Sequence, residues 1–94
     1  MLSLHEINEK MKSLKDWDLD VNVLTKTFVF PENKQVQEFV NKVMQLSEEL
    51  NHHPEIIINK NTVKLNLITK EENTLTKLDF QLAEAIDRIE NVSN

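Results

Sequence analysis

Two adjacent histidines, His52 and His53, are the residues of this sequence best suited to chemistry. Imidazole gives and takes protons near neutral pH, so the pair could transfer protons without a metal or a cofactor. Pro54 follows, and because proline lacks an amide hydrogen and restricts the residue before it, a helix should end by this point. Glu48 lies one helical turn before His52, where its carboxylate could orient an imidazole. Two histidines in a polar loop can also be ordinary solvated residues, so the pair alone is a weak indication.

The composition excludes several classes of function. The chain has 94 residues, which allow a single domain over residues 1–94 with a modest core. It contains neither cysteine nor glycine. The first absence excludes disulfides and thiolate catalysis, and the second excludes the glycine-rich loops that hold nucleotide phosphates.

Charge and hydropathy restrict the kinds of partner that we expect for the protein. The formal net charge is −5 and the pI is about 5.1, which disfavours direct binding to nucleic acid. No long apolar run indicates a membrane span and no amino-terminal hydrophobic region indicates a secretion signal, so we expect a cytoplasmic protein. So small a core also favours self-association, and we expect a homo-oligomer.

Helical and strand periodicities alternate along the chain. They predict helices over residues 3–15, 33–50 and 77–90 and strands over residues 17–21, 24–30, 55–58 and 62–68. Capping signatures open the first and third helices, Ser3 with Glu6 and Thr76 with Asp79. Short turns join the strands of each pair. We therefore expect an α+β fold of order α-β-β-α-β-β-α, with a four-stranded antiparallel sheet and three helices on one face.

Alternation within the strands assigns their faces. Trp17 opens the first strand and is expected to anchor the core, since its ring can bury a large apolar area. In the last strand, Val63, Leu65 and Leu67 share one face. The opposite face carries Lys64, Asn66 and Ile68 and is continued by Lys70. Without glycine, turns should use asparagine, which tolerates positive φ, at Asn22, Asn59, Asn61 and Asn73.

The order of elements and two short pieces of sequence resemble the pterin-4a-carbinolamine dehydratases. Residues 48–55 read EELNHHPE, and residues 75–79 read LTKLD, similar to the family's L-T-x-x-D. The resemblance covers most of the chain, from Trp17 to the closing helix. It implies dehydration of a 4a-hydroxytetrahydropterin to the quinonoid dihydropterin, which a reductase then recycles, with no metal and no cofactor.

The resemblance also implies a set of site residues. The catalytic residues would be His52, His53, Glu48 and Lys70. The pterin would be bound by His52, His53, Pro54, Thr69, Lys70 and Asp79. Asp79 is independently explained as a helix-capping acid. If the resemblance holds, both imidazoles should border one cavity that accommodates a flat bicyclic ring, close to the strand end at Thr69.

The family pattern is incomplete at three positions. A third histidine usually stands where this chain has Lys70, and aromatic residues commonly stand where it has Lys60 and often where it has Ile56. An ammonium group is a far weaker acid than imidazolium, with unperturbed pKa values of about 10.4 and 6.5, although it could hold a leaving hydroxyl electrostatically. We expect a slower dehydratase or one with a shifted substrate.

Two other functions stay open. Some relatives act as partner-stabilising subunits or assembly factors, and the helix over residues 33–50, where Met44 widens the apolar stripe, would then be the contact element. By resemblance the family forms dimers and tetramers, so a homotetramer is expected. A metal site using His52, His53 and Glu48 is disfavoured, because adjacent residues of an extended segment point to opposite sides.

Overall fold

A computed structural model describes residues 1–93 of the chain, with side chains described for residues 1–89. The elements are α1 (Leu4–Met11), β1 (Asp18–Asp20), β2 (Val23–Val29), α2 (Asn33–Leu50), β3 (Glu55–Asn59), β4 (Thr62–Leu67) and α3 (Lys77–Ser93). The strands form one antiparallel sheet in the order β1-β2-β4-β3, and the helices pack on one of its faces. The predicted α+β fold is confirmed. None of the described helices has the length and apolarity needed to cross a membrane.

The core lies between the central strands and the helices. In β4, Val63, Leu65 and Leu67 are fully buried, while the residues between them face the other side, as the alternation predicts. In β2, Leu24 and Phe28 pack on the same side. The helices contribute the remaining large members of the core, among them Val36, Phe39, Val43, Phe80, Leu82 and Ile86.

The first helix and strand are shorter than predicted. α1 ends at Met11, and β1 begins only after Trp17 and contains three residues, all exposed. Trp17 is buried as expected, but Leu19 and Val21 are exposed, so the prediction of a half-buried strand over residues 17–21 is wrong. β1 is an edge strand paired only with β2, which explains why alternation does not bury its residues. At the other end of the chain, α3 extends to Ser93 instead of residue 90.

The turns use other residues than predicted. Among the four asparagines expected to adopt positive φ, only Asn73 does so, at 52°. Each hairpin has a two-residue loop whose first residue is left-handed, Val21 with φ 59° and Lys60 with φ 56°. Two-residue hairpin loops need positive φ to match the strand twist. The loop geometry therefore overrides the preference of the neighbouring asparagines.

A buried cation lies on the helix-covered face of β2. The Lys26 ammonium donates to the Lys15 carbonyl at 2.6 Å and to Asp87 Oδ1 at 3.0 Å, and Trp17 Nε1 donates to the same carboxylate oxygen at 2.9 Å. Such partners offset the cost of burying a charge. The cluster fastens the segment before β1 to α3.

Candidate active site

The carboxyl end of α2 positions His52. Asn51 adopts the left-handed conformation, with φ 51° and ψ 45°, and stops the helix. The His52 amide then donates to the Ser47 carbonyl at 2.9 Å, and the Asn51 amide donates to the Glu48 carbonyl at 3.2 Å. These bonds satisfy carbonyls that the helix end leaves open. The backbone at His52 is therefore held against the end of the helix.

The His52 side chain is held by a buried carboxylate. Its Nε2 lies 2.6 Å from Asp79 Oδ1, and the side chains of His52 and Asp79 are 7% and 0% exposed. Asp79 is the third residue of α3, and its other oxygen accepts the Thr76 amide at 3.0 Å. The capping role predicted for Asp79 is thus present, and the same carboxylate also fixes an imidazole.

Two threonine hydroxyls complete this network. Thr69 Oγ1 donates to Asp79 Oδ2 at 2.8 Å and lies 2.7 Å from Thr76 Oγ1. Since the Thr69 hydrogen points to the carboxylate, Thr69 Oγ1 accepts the hydrogen of Thr76. Among the described residues, no buried side-chain nitrogen or oxygen lacks a hydrogen-bond partner. A fully satisfied buried network holds its members rigidly.

This network selects one tautomer of His52. A carboxylate oxygen accepts hydrogen bonds, so we assign the hydrogen of this contact to Nε2 of His52. Nδ1 is then the ring nitrogen that can accept a proton from another molecule. An imidazole held in this way is able to accept a proton when it is neutral and to donate one when it is protonated.

His53 has a second carboxylate partner in a different setting. Its Nε2 lies 3.1 Å from Glu48 Oε1, and the two side chains are 48% and 74% exposed. Glu48 therefore contacts His53, and the carboxylate that contacts His52 comes from α3. Water competes for both members of an exposed pair, so this contact constrains His53 less than Asp79 constrains His52.

Both imidazoles line one cavity. Its volume is about 260 Å³, and its lining consists of Asn51, His52, His53, Ile68, Lys70 and Glu71. The position of the cavity agrees with the expectation of a common space beside the end of β4. Lys70, which stands where the family usually has a third histidine, is among the lining residues.

A second cavity adjoins the first along the sheet. It has a volume of about 170 Å³ and is lined by Val23, His53, Glu55, Asn66, Ile68 and Lys70. The two cavities share His53, Ile68 and Lys70. The residues of β4 that line the second cavity belong to the sheet face opposite the helices, since the alternating residues of β4 pack into the core.

Three residues expected to bind the pterin lie away from the cavity walls. Asp79 is completely buried and Thr69 is nearly so, and both stand behind His52. Pro54 is half-buried, and it lines neither cavity. In this geometry, Asp79 contacts the His52 ring and Thr69 contacts Asp79. Of the six residues predicted to bind the pterin, His52, His53 and Lys70 line the cavity.

Sequence reasoning did not select several residues that line the cavities. Ile68, Glu55 and Asn66 were not chosen as site residues, although Ile68 and Asn66 alternate with the buried residues of the last strand. That alternation continues to Lys70 and is the sequence signal that could have indicated these lining residues. Thr76 carries only a helix-capping signature in the sequence, and nothing local indicates its bond to Thr69.

Comparison with known proteins identifies relatives of this chain. Residues 1–89 match the family described as pterin 4 alpha carbinolamine dehydratase. A protein of Sulfurisphaera tokodaii is 39% identical over 88 residues, covering 94% of this chain and 95% of that protein. A protein of Chloroflexus aurantiacus is 41% identical over 88 residues, with coverages of 94% and 95%. Both carry provisional pterin-4-alpha-carbinolamine dehydratase names.

Solved structures share the fold. A crystal structure of a transcriptional coactivator/pterin dehydratase from Brucella melitensis has a TM-score of 0.88 and 31% identity, covering 94% of this chain and 96% of that one. A pterin dehydratase-like RuBisCO assembly factor of the alpha-carboxysome has a TM-score of 0.64 at 22% identity, with coverages of 80% and 86%, and shows the fold alone.

The fold and its histidine corner thus define a small α+β protein of the pterin-dehydratase type. The chain belongs to the pterin-4a-carbinolamine dehydratase family.

Proposed function

We propose that the protein dehydrates a 4a-hydroxytetrahydropterin to the quinonoid dihydropterin. The observation that carries this proposal is the cavity lined by His52, His53 and Lys70, in which Asp79 fixes the orientation of one imidazole. Two groups able to exchange protons near neutral pH thus face one space. Membership of the family makes a pterin the expected occupant.

The reaction requires an acid near the departing hydroxyl group and a base near the neighbouring ring nitrogen. A ring nitrogen loses its proton, the neighbouring carbon–oxygen bond breaks, and a carbon–nitrogen double bond forms. The departing hydroxide takes up a proton and leaves as water. We assign the two proton transfers to His52 and His53, with Glu48 orienting His53 through the 3.1 Å contact.

Lys70 takes the place of a third imidazole in this proposal. Its ammonium donates hydrogen bonds, but an ammonium group is a weaker acid than an imidazolium. We assign it the electrostatic stabilisation of the departing oxygen. A rate lower than that of an enzyme with three histidines follows from this substitution.

The test is rapid mixing of the purified protein with enzymically generated 4a-hydroxytetrahydropterin. Dehydration should be faster than in buffer, and His52→Ala should reduce the acceleration about 100-fold or more, the lower range of general acid–base contributions. His5→Ala is the matched control, since His5 is exposed on α1 and lines neither cavity. A wild-type protein no faster than buffer would refute the proposed activity.

We place this activity in the recycling of tetrahydrobiopterin after aromatic hydroxylation, in the cytoplasm. Family membership predicts the pathway, and composition predicts the location. The upstream reaction must be an oxygenation that leaves a hydroxyl on the pterin ring, because only such a product carries the group that this site would remove.

A second candidate function is protein binding through α2. Met44 is 42% exposed on this helix, and a groove of about 410 Å³ runs between α2 and α3, away from both histidines. It is lined by Lys42, Gln45, Leu46, Glu49, Arg88 and Ile89. Met44 lies outside this groove, and as an exposed apolar side chain of α2 it can contact another helix, either in a homo-oligomer or in a different protein.

Met44→Asp tests this second candidate. The change should abolish self-association measured by sedimentation velocity, because it places a charge in the apolar contact. Met44→Leu should preserve association, since it conserves size and apolarity. If Met44→Asp associates like the wild type, α2 is not the contact element.

A further inference from the structure

A row of three side chains forms the floor of the cavities. Asn66, Ile68 and Lys70 are spaced two residues apart on β4 and its extension, and all three line the second cavity. At about 3.3 Å per residue, the backbone of Asn66 lies roughly 13 Å from that of Lys70. The row therefore offers a polar end, an apolar middle and a cationic end to a flat molecule.

The polar end of this row is a preorganised pair. Glu55 on β3 stands directly opposite Asn66 in the antiparallel register. The Asn66 amide donates to Glu55 Oε1 at 2.7 Å. This bond holds the carboxylate at the wall of the cavity, on the strand that begins two residues after His53.

The pair retains unused hydrogen-bonding capacity. Within the part of the chain whose side chains are described, neither Glu55 Oε2 nor Asn66 Oδ1 has a hydrogen-bond partner in the protein. Both atoms are acceptors. The pair therefore suits a ligand edge with two adjacent N–H donors, because Glu55 Oε2 is unpaired and Oε1 can accept a second hydrogen bond beside that of Asn66.

We infer that Glu55, held by Asn66, binds the edge of the pterin's pyrimidine ring that carries the 2-amino group and the N3 hydrogen. This inference rests on the proposed function. The ring system then lies over Ile68. Its far side, with the hydroxylated carbon, faces Lys70 and the histidines.

This orientation makes Glu55 a specificity-determining residue. A 2-amino group donates to a carboxylate, whereas a 2-oxo group presents a second acceptor to it and is repelled. The site should therefore discriminate 2-amino pteridines from 2-oxo pteridines. The chemistry at the hydroxylated carbon lies at the other end of the ring and does not depend on this contact.

Calorimetric titration with 7,8-dihydropterin and 7,8-dihydrolumazine, its 2-oxo counterpart, tests the inference. The wild type should bind the 2-amino compound about tenfold more tightly, as expected for charge-assisted hydrogen bonds at a partly exposed site. Glu55→Gln should reduce the preference to near one, because glutamine presents both a donor and an acceptor. In the dehydration assay, the same variant should raise KM about tenfold while kcat changes less than about threefold.

Glu38→Gln is the matched control, since Glu38 is exposed on α2 and lines neither cavity; it should keep the wild-type preference. Equal binding of both compounds by the wild type overturns the inference, as does a preference that survives in Glu55→Gln. A wild type that fails to dehydrate but keeps a preference dependent on Glu55 refutes the proposed reaction and supports the pyrimidine-edge site.

Discussion

His52 and His53 are neighbours in the chain, yet their carboxylate partners lie in opposite environments. Asp79 is buried, reaches His52 at 2.6 Å and comes from a distant helix. Glu48 is exposed, reaches His53 at 3.1 Å and comes from the helix just before it. One pair is part of a closed network, and the other is open to water.

Because of this difference, the two imidazoles should be held with unequal firmness. Removing one member of a buried pair leaves an unpaired polar group and costs about 3–5 kcal/mol, whereas an exposed pair contributes about 0–1 kcal/mol. His52 is thus held in one direction by a buried contact, whereas the exposed contact with Glu48 constrains His53 less. We expect the Asp79 contact to affect both stability and the dehydration rate, and the Glu48 contact to affect the rate slightly and stability little.

The largest effect should follow from changing Asp79. Asp79→Ala should lower the free energy of unfolding by about 3–5 kcal/mol in chemical denaturation, because it leaves His52 and Thr69 without their buried acceptor. Asp79→Asn conserves the size of the side chain but cannot accept from both His52 and Thr69. It should therefore reduce dehydration about 100-fold in protein that is still folded.

An Asp79→Asn protein that melts and dehydrates its substrate like the wild type would show that the buried pair matters no more than the exposed pair. A changed pH profile of the remaining activity would support the role in orienting His52, since a purely structural carboxylate would alter the amount of folded protein and leave the profile in place.

The second effect concerns Lys70, which lines both cavities. Lys70→His should raise the dehydration rate about tenfold, because imidazolium donates a proton more readily than ammonium near neutral pH. The gain should persist in combination with Glu48→Gln and vanish in combination with Asp79→Asn, since a third imidazole can help only if His52 is oriented. Lys70→Arg, which keeps the charge and gains no acid, is the control.

A smaller effect should follow from Glu48→Gln. The amide can still accept from His53, and water can replace the contact, so unfolding should change by less than about 1 kcal/mol. We expect the dehydration rate to fall less than about threefold. A loss as large as that of Asp79→Asn would show that exposure does not separate the two pairs.

The sequence predicted the architecture because its signals are local. Alternation in the last strand, the helical stripe over residues 33–50 and the Ser3–Glu6 cap depend on neighbours within a few positions. The same local signals failed at β1, where an edge position left Leu19 exposed, and in the hairpin loops, where geometry selected Val21 over Asn22.

The site was only partly predictable, because its decisive contact is not local. Asp79 lies 27 residues after His52, and only packing of α3 beside the end of α2 brings them together. The left-handed residue Asn51 turns the chain so that Glu48 contacts His53. Likewise, Lys26 alternates with Leu24 and Phe28 in the sequence, but nothing local indicates its ion pair with Asp87.

The smallest effect on stability should occur at Glu6, a capping carboxylate that is exposed whereas Asp79 is buried. Glu6 is the third residue of α1, as Asp79 is of α3, and it accepts the Ser3 amide at 3.0 Å on the surface. This backbone bond, followed by the bond involving the Ser3 side chain, lowers the pKa of Glu6 below its usual 4.5. A lowered pKa in the folded state means that the stabilisation is present above pH 4.5 and is lost as the pH falls through the folded-state pKa.

Carboxyl-carbon NMR titration measures this pKa directly. Ser3→Pro removes the donating amide and suits the φ of −75° at this position, so the Glu6 pKa should rise towards 4.5. Ser3→Ala, which retains the amide, should raise it less. An unchanged pKa in Ser3→Pro would show that the backbone bond does not set the Glu6 pKa. By the same linkage, a risen Glu6 pKa should lower melting at neutral pH, and by less than the change at Asp79, because Glu6 lies on the surface.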